Sequence, residues 1–72
     1  MSVLNDVQCG RAFSHNGTLI LKWESQSINP LGEGKEAEVA LRSNGTIFTF
    51  VTDEKGDIKP DSFKTTKASD DP

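Results

Sequence analysis

Two stretches of the chain alternate apolar and polar positions around an Asn-Gly pair, and both read as β-hairpins. In Glu38-Val39-Ala40-Leu41-Arg42-Ser43-Asn44-Gly45-Thr46-Ile47-Phe48-Thr49-Phe50-Val51, β-branched and aromatic residues flank a dipeptide suited to the two positive φ angles of a type I′ turn. A two-residue loop at Asn44-Gly45 pairs Ser43 with Thr46, Leu41 with Phe48 and Val39 with Phe50. Side chains alternate along a strand, so Val39, Leu41, Phe48 and Phe50 share a core face, while Glu38, Arg42 and Thr49 lie on the other. Ala40, Ile47 and Val51 make that second face mixed, which leaves room for a further packed layer or a partner chain.

The earlier stretch, Arg11 to Trp23, turns at Asn16-Gly17. Its register pairs His15 with Thr18, Phe13 with Ile20 and Arg11 with Lys22 on one side, and places Ala12, Ser14, Leu19, Leu21 and Trp23 on the other. The Leu19-Leu21-Trp23 stripe is the expected core face. Phe13 and Ile20, set among polar and basic groups, are then expected at an interface.

Residues 1–10 read as an irregular lead-in, because Asn5, Asp6 and Gly10 favour turns. Residues 24–36, with Pro30, Gly32 and Gly34, read as a long loop and a candidate binding element. After a polar turn at residues 52–57, Ile58-Lys59-Pro60 is expected as a short edge strand ending at the proline. Phe63 is expected to pack back on the core, and residues 64–72 read as a disordered polar tail. The expectation is one all-β domain over residues 1–63. It is a small antiparallel five-stranded sheet or SH3-like partly open barrel built from two Asn-Gly hairpins, with strands near 11–15, 18–23, 38–43, 46–51 and 57–60. Its expected core is Val7, Leu19, Leu21, Trp23, Val39, Leu41, Phe48, Phe50 and Ile58.

Composition sharpens this. A chain of 72 residues buries roughly 60% of its unfolded surface, and with 33% hydrophobic residues its core is lean, so a homo-oligomer is the expected state. Cys9 is the single cysteine, which excludes an intrachain disulfide framework. No apolar run approaches the roughly 18 residues of a membrane span, and the N-terminus lacks a signal-peptide pattern, so a cytoplasmic protein is expected. A net charge of −3 gives no basic footprint for general nucleic-acid binding.

Candidate chemistry is sparse. His15 and Cys9 form no triad with a third orienting group, and the single histidine leaves no other general base of that type, so no enzyme is expected. Asp53, Glu54 and Asp57 do not follow a calcium-loop spacing, and Gly32-Glu33-Gly34-Lys35 lacks the remainder of a phosphate loop. No metal or cofactor is expected. The more informative set is Arg11, Phe13, His15, Ile20 and Lys22, alternating cationic and apolar on one hairpin side, with Trp23 available to stack on a base.

Leu4-Asn5-Asp6-Val7, Gly10, Phe13, Asn16-Gly17-Thr18-Leu19-Ile20-Leu21-Lys22, Val39-Ala40-Leu41, Asn44-Gly45-Thr46-Ile47-Phe48-Thr49-Phe50, Asp53 and Ile58-Lys59-Pro60 together resemble small bacteriophage- and prophage-encoded β-proteins over residues 4–60. The resemblance implies a phage accessory protein in the bacterial host cell that counteracts a defence system by binding a host protein or complex. Charge and face, rather than the family, nominate the residues. Phe13, Ile20 and the 24–36 loop would serve a protein partner, and Arg11, Lys22, Arg42 and Trp23 would hold a nucleotide signal sequestered between subunits. A virion-associated decoration protein would use the same fold without a ligand.

Overall fold

The computed structural model describes residues 2–67. Its order is α1 (Val3–Cys9), β1 (Phe13–His15), β2 (Thr18–Ile20), β3 (Ser25–Pro30), β4 (Ala37–Ser43), β5 (Thr46–Thr52) and β6 (Lys64–Lys67). The fold is mainly antiparallel β, in a four-stranded sheet ordered β3-β4-β5-β6 and a separate β1-β2 hairpin. There are six strands in two sheets, not five, and they do not close into a barrel.

Both hairpins adopt the register that their Asn-Gly turns dictate. Phe13 pairs with Ile20 and His15 with Thr18, while Val39 pairs with Phe50 and Leu41 with Phe48. Positive φ at Asn16, Gly17, Asn44 and Gly45 is the local cause. In the four-stranded sheet, Val39, Leu41 and Phe50 are buried and Phe48 is half-buried, as the alternation requires.

The first hairpin has the expected register but the opposite burial. Phe13 and Ile20 are buried, whereas Leu19 and Leu21 are 61% and 62% exposed. Phe13 is wedged between Trp23 and Phe50, with ring centroids 6.1 and 6.0 Å away. The ladder ends at the Phe13–Ile20 pair, so Arg11 and Lys22 lie beyond it and do not share a continuous face with those residues. What remains of that side is apolar enough to be core.

Three further expectations are corrected. The lead-in is a helix: Ser2 Oγ accepts from the Asn5 N–H at 3.1 Å, and Leu4 and Val7 turn into the core. It closes through a Schellman pair, the Gly10 N–H donating to the Val7 carbonyl at 3.1 Å and the Arg11 N–H to the Asp6 carbonyl at 2.8 Å. The long loop is shortened by β3, which pairs with β4 along its whole length, from Ser25–Arg42 to Pro30–Ala37. The tail begins as β6, paired with β5 from Thr46–Lys67 to Thr49–Lys64, so the domain extends through Lys67; residues 68–72 lie outside the described residues.

The expected strand at 57–60 reduces to a Thr52–Ile58 bridge and one hydrogen bond, from the Lys59 N–H to the Val51 carbonyl at 2.8 Å. That short segment and β6 therefore share the free side of β5. Ser62 fills the gap between them, its Oγ accepting from the Val51 N–H at 3.1 Å. Phe63 then lies over Phe48 and Phe50 at 6.0 and 6.1 Å, covering the core face as expected.

A buried threonine fastens the remaining loop. Thr52 Oγ1 accepts from the Ala37 N–H at 3.0 Å and donates to the Lys35 carbonyl at 2.8 Å. Its hydroxyl thus satisfies two backbone groups where the 31–36 segment enters β4.

Candidate functional site

The residues nominated by the hairpin pattern do not converge on one surface. Arg11 is exposed just past the helix, with its backbone N–H held by Asp6. Phe13 and Ile20 face inward, so neither offers an interface. His15 is half-buried against Phe63, with rings 5.0 Å apart. Lys22 is exposed, and its carbonyl accepts from Ser43 Oγ at 2.6 Å, which ties the first hairpin to the second.

Trp23 is half-buried against Phe13, and its Nε1–H donates to Gln26 Oε1 at 2.7 Å. The indole is thus already engaged through both its ring and its polar tip, which disfavours its use as a stacking platform. Arg42 pairs with Ile47 on the outward face of the four-stranded sheet. Phe13 contacts the inward-facing Phe50, so the first hairpin covers the other side of that sheet. Arg42 is therefore separated from Arg11, Lys22 and Trp23 by the sheet itself.

The inversion of the first hairpin creates a different surface. Leu19 and Leu21, two positions apart, project outward as an apolar ridge followed by Lys22. On one side, Leu19, Leu21 and Lys22 border a groove of about 470 Å³ whose opposite wall includes Asn44, Thr46 and Phe48 from the second hairpin. On the other side, Leu21, Lys22, Trp23 and Gly10 border a smaller depression of about 200 Å³. The ridge is continuous with both hollows, and a cation stands at its end. Sequence reasoning missed it because Leu19 and Leu21 are the residue types most expected inside; their exposure follows only once Phe13 has taken the core position.

A third hollow, of about 320 Å³, lies between α1 and the β3–β4 region, lined by Leu4, Asn5, Gln8, Ile28, Lys35 and Glu36 among others. Lys35 also borders a polar depression with Ser2, Asn5, Lys55 and Asp57. Nearby, the Asp53 carboxylate is engaged by the backbone: Oδ1 accepts from the Asp57 N–H at 3.0 Å and the Lys55 N–H at 2.9 Å. The Asp57 N–H is the main cause that holds its pKa below the ordinary value. The Asp53 carboxylate therefore organises the 53–57 turn.

Cys9 is an exposed free thiol at the end of α1, while His15 belongs to the β1–β2 hairpin and rests on Phe63. Among the described residues, no group of three or more His, Cys, Asp and Glu side chains gathers as a metal site, and no helix is long and apolar enough to cross a membrane. Protein-family models, curated proteins and solved structures yield no match to this chain.

Proposed function

We propose that the chain is a non-catalytic binding protein whose Leu19–Leu21 ridge docks a protein partner, and that it serves as a phage-like accessory factor counteracting a bacterial defence system by occupying a host protein or complex. The observation that carries the docking reading is the paired exposure of Leu19 and Leu21 in a chain with little apolar material to spare. Full burial of a leucine is worth about 1.5–3 kcal/mol. A partner that covers both gains a compact apolar anchor, and the adjoining grooves admit its neighbouring side chains. Lys22, at the end of the ridge, favours an acidic group on that partner's rim. The phage-accessory role rests on the sequence resemblance over residues 4–60.

The test is expression of the chain in bacterial strains carrying individual defence systems, scored by plaque formation. Restored plaquing by the wild type in at least one strain, and its loss in a folded Leu19→Ser/Leu21→Ser variant, is the expected result. Full restoration by that variant removes the ridge from the mechanism. Inhibition of the purified host complex at far below one chain per target would replace binding with catalysis.

A further inference from the structure

The outward face of the four-stranded sheet carries a pattern that matches itself. Three rows cross it. Ser25, Arg42, Ile47 and Thr66 form one end, Ser27, Ala40, Thr49 and Lys64 the middle, and Asn29, Glu38 and Val51 the other end. The first hairpin lies over the inward side, since Phe13 meets Phe50 there. The outward side holds small side chains at its centre, an apolar residue in each end row, a base at one end and an acid at the other.

We infer that this face is an isologous dimer interface, occupied by the same face of a second copy of the chain. A two-fold axis along the middle row reverses the strands and stacks β4 on β4. That operation sets Arg42 against Glu38 of the second copy and Glu38 against its Arg42. It also sets Ile47 against Val51, and Val51 against Ile47. Ala40 and Thr49 meet their own counterparts, where small side chains permit close approach. Each unlike pair occurs twice, as isologous symmetry requires. Lys64 meets Lys64 at the margin, where the aligned packing angle of about 30° splays the sheet edges and leaves both in water.

Charge supports a second copy over an unrelated partner. Glu38 and Arg42 are four residues apart on one strand, about 14 Å, too far to pair within a protomer. Among the described residues the one ion pair is Lys59–Glu36 at 3.8 Å, so neither Glu38 nor Arg42 has a partner there. Asp61 lines the same outward depression as Glu38, with Lys64 at its β6 side, so the acids there outnumber the base by two to one. A face with its acid and base at opposite ends of one strand is the arrangement that reversal by a two-fold axis satisfies.

Size sets the strength. Four strands about 4.8 Å apart give a face of roughly 20 by 20 Å, about half of the ~800 Å² per partner of a standard stable interface. The dimer is therefore of the weak, transient class, populated only as concentration rises. This inference uses a different surface from the Leu19–Leu21 ridge, so either can fail alone.

The test is sedimentation of the full chain from about 1 µM to about 1 mM, at low salt, with E38R, R42E and the E38R/R42E double variant. Circular dichroism confirms that each variant is folded, as expected for exposed side chains. Each single reversal sets like charges together twice and is expected to raise the dimer Kd by about tenfold or more, while the double variant restores it to within about threefold. A monomer at every concentration overturns the inference. So does a dimer indifferent to the single reversals, or one that fails to return in the double variant. A dimer lost instead in Leu19→Ser/Leu21→Ser places association on the hairpin ridge and also overturns it.

Discussion

Gly56 shows how closely the helix and the 53–57 turn are fitted. Its φ is +85°, and a β-carbon there would stand 2.7 Å from Ser2 Cβ and 2.8 Å from Ser2 Oγ. Its carbonyl meanwhile accepts from the Leu4 N–H at 2.8 Å. Substitution must therefore strain the turn and displace the residue that caps α1. Gly56→Ala is expected to destabilise the protein by about 2–4 kcal/mol, measured by urea unfolding, since it combines a backbone penalty with a steric one. An unchanged midpoint would mean that the helix is not seated on this turn. Asp53, three residues earlier, makes a pH-dependent contribution. Its carboxylate is held below the ordinary pKa first by the Asp57 N–H, with the Lys55 N–H and ammonium adding to that effect against desolvation. A depressed folded pKa contributes stability above the unfolded value, and that contribution fades as pH falls through the folded value. Asp53→Asn keeps an acceptor but removes the charge. Its stability deficit relative to wild type is expected to be full at pH 7 and to shrink below about pH 4, and a deficit constant with pH would assign it to shape alone.

At the level of elements, the two hairpins were legible to different depths. Asn-Gly turns specify register through local φ angles, and register came through correctly in both. In the second hairpin, register also assigned the faces, because Val39, Leu41, Phe48 and Phe50 outweigh anything on the opposite side. In the first, the two sides were close in apolar content, and the choice passed to tertiary packing: Phe13 fits between Trp23 and Phe50, and leucines do not replace it. Phe13→Ala is accordingly expected to cost about 3–5 kcal/mol of stability, while Leu21→Ser changes stability by less than about 1 kcal/mol. Thermal or urea unfolding of the two variants checks this, and a reversed order would restore the leucine stripe as core. α1 did leave a signal in the sequence. Ser2 stands before Val3 and Leu4, Val7 recurs at helical spacing, and Gly10 follows as a stop, yet seven residues are too few for periodicity to compete with local turn formers. β3 left almost none. Ser25-Gln26-Ser27-Ile28-Asn29-Pro30 has a single large apolar side chain, and it is a strand because β4 offers it a ladder.

For the whole molecule, the candidate site depended on this same division. Sequence could name Arg11, Lys22, Trp23 and Arg42 as carriers of charge or stacking area, but whether they share a surface is a property of how two sheets lie on each other. Lys22 and Trp23 do border a common hollow, whereas Arg42 is on the far side of the four-stranded sheet. The same layering leaves the molecule with two separate outward surfaces, a ridge of leucines and a flat sheet face, so that one can engage a partner while the other engages a copy. How far such an assembly grows is governed by the borders of the four-stranded sheet. β3 ends on Pro30, which has no N–H to offer a neighbouring strand, and β6 carries Lys64 and Lys67 at its two ends. Neither border welcomes a fifth strand from another molecule. A pair formed as inferred through the flat face would use up that face on both molecules, so association by that route would end at two.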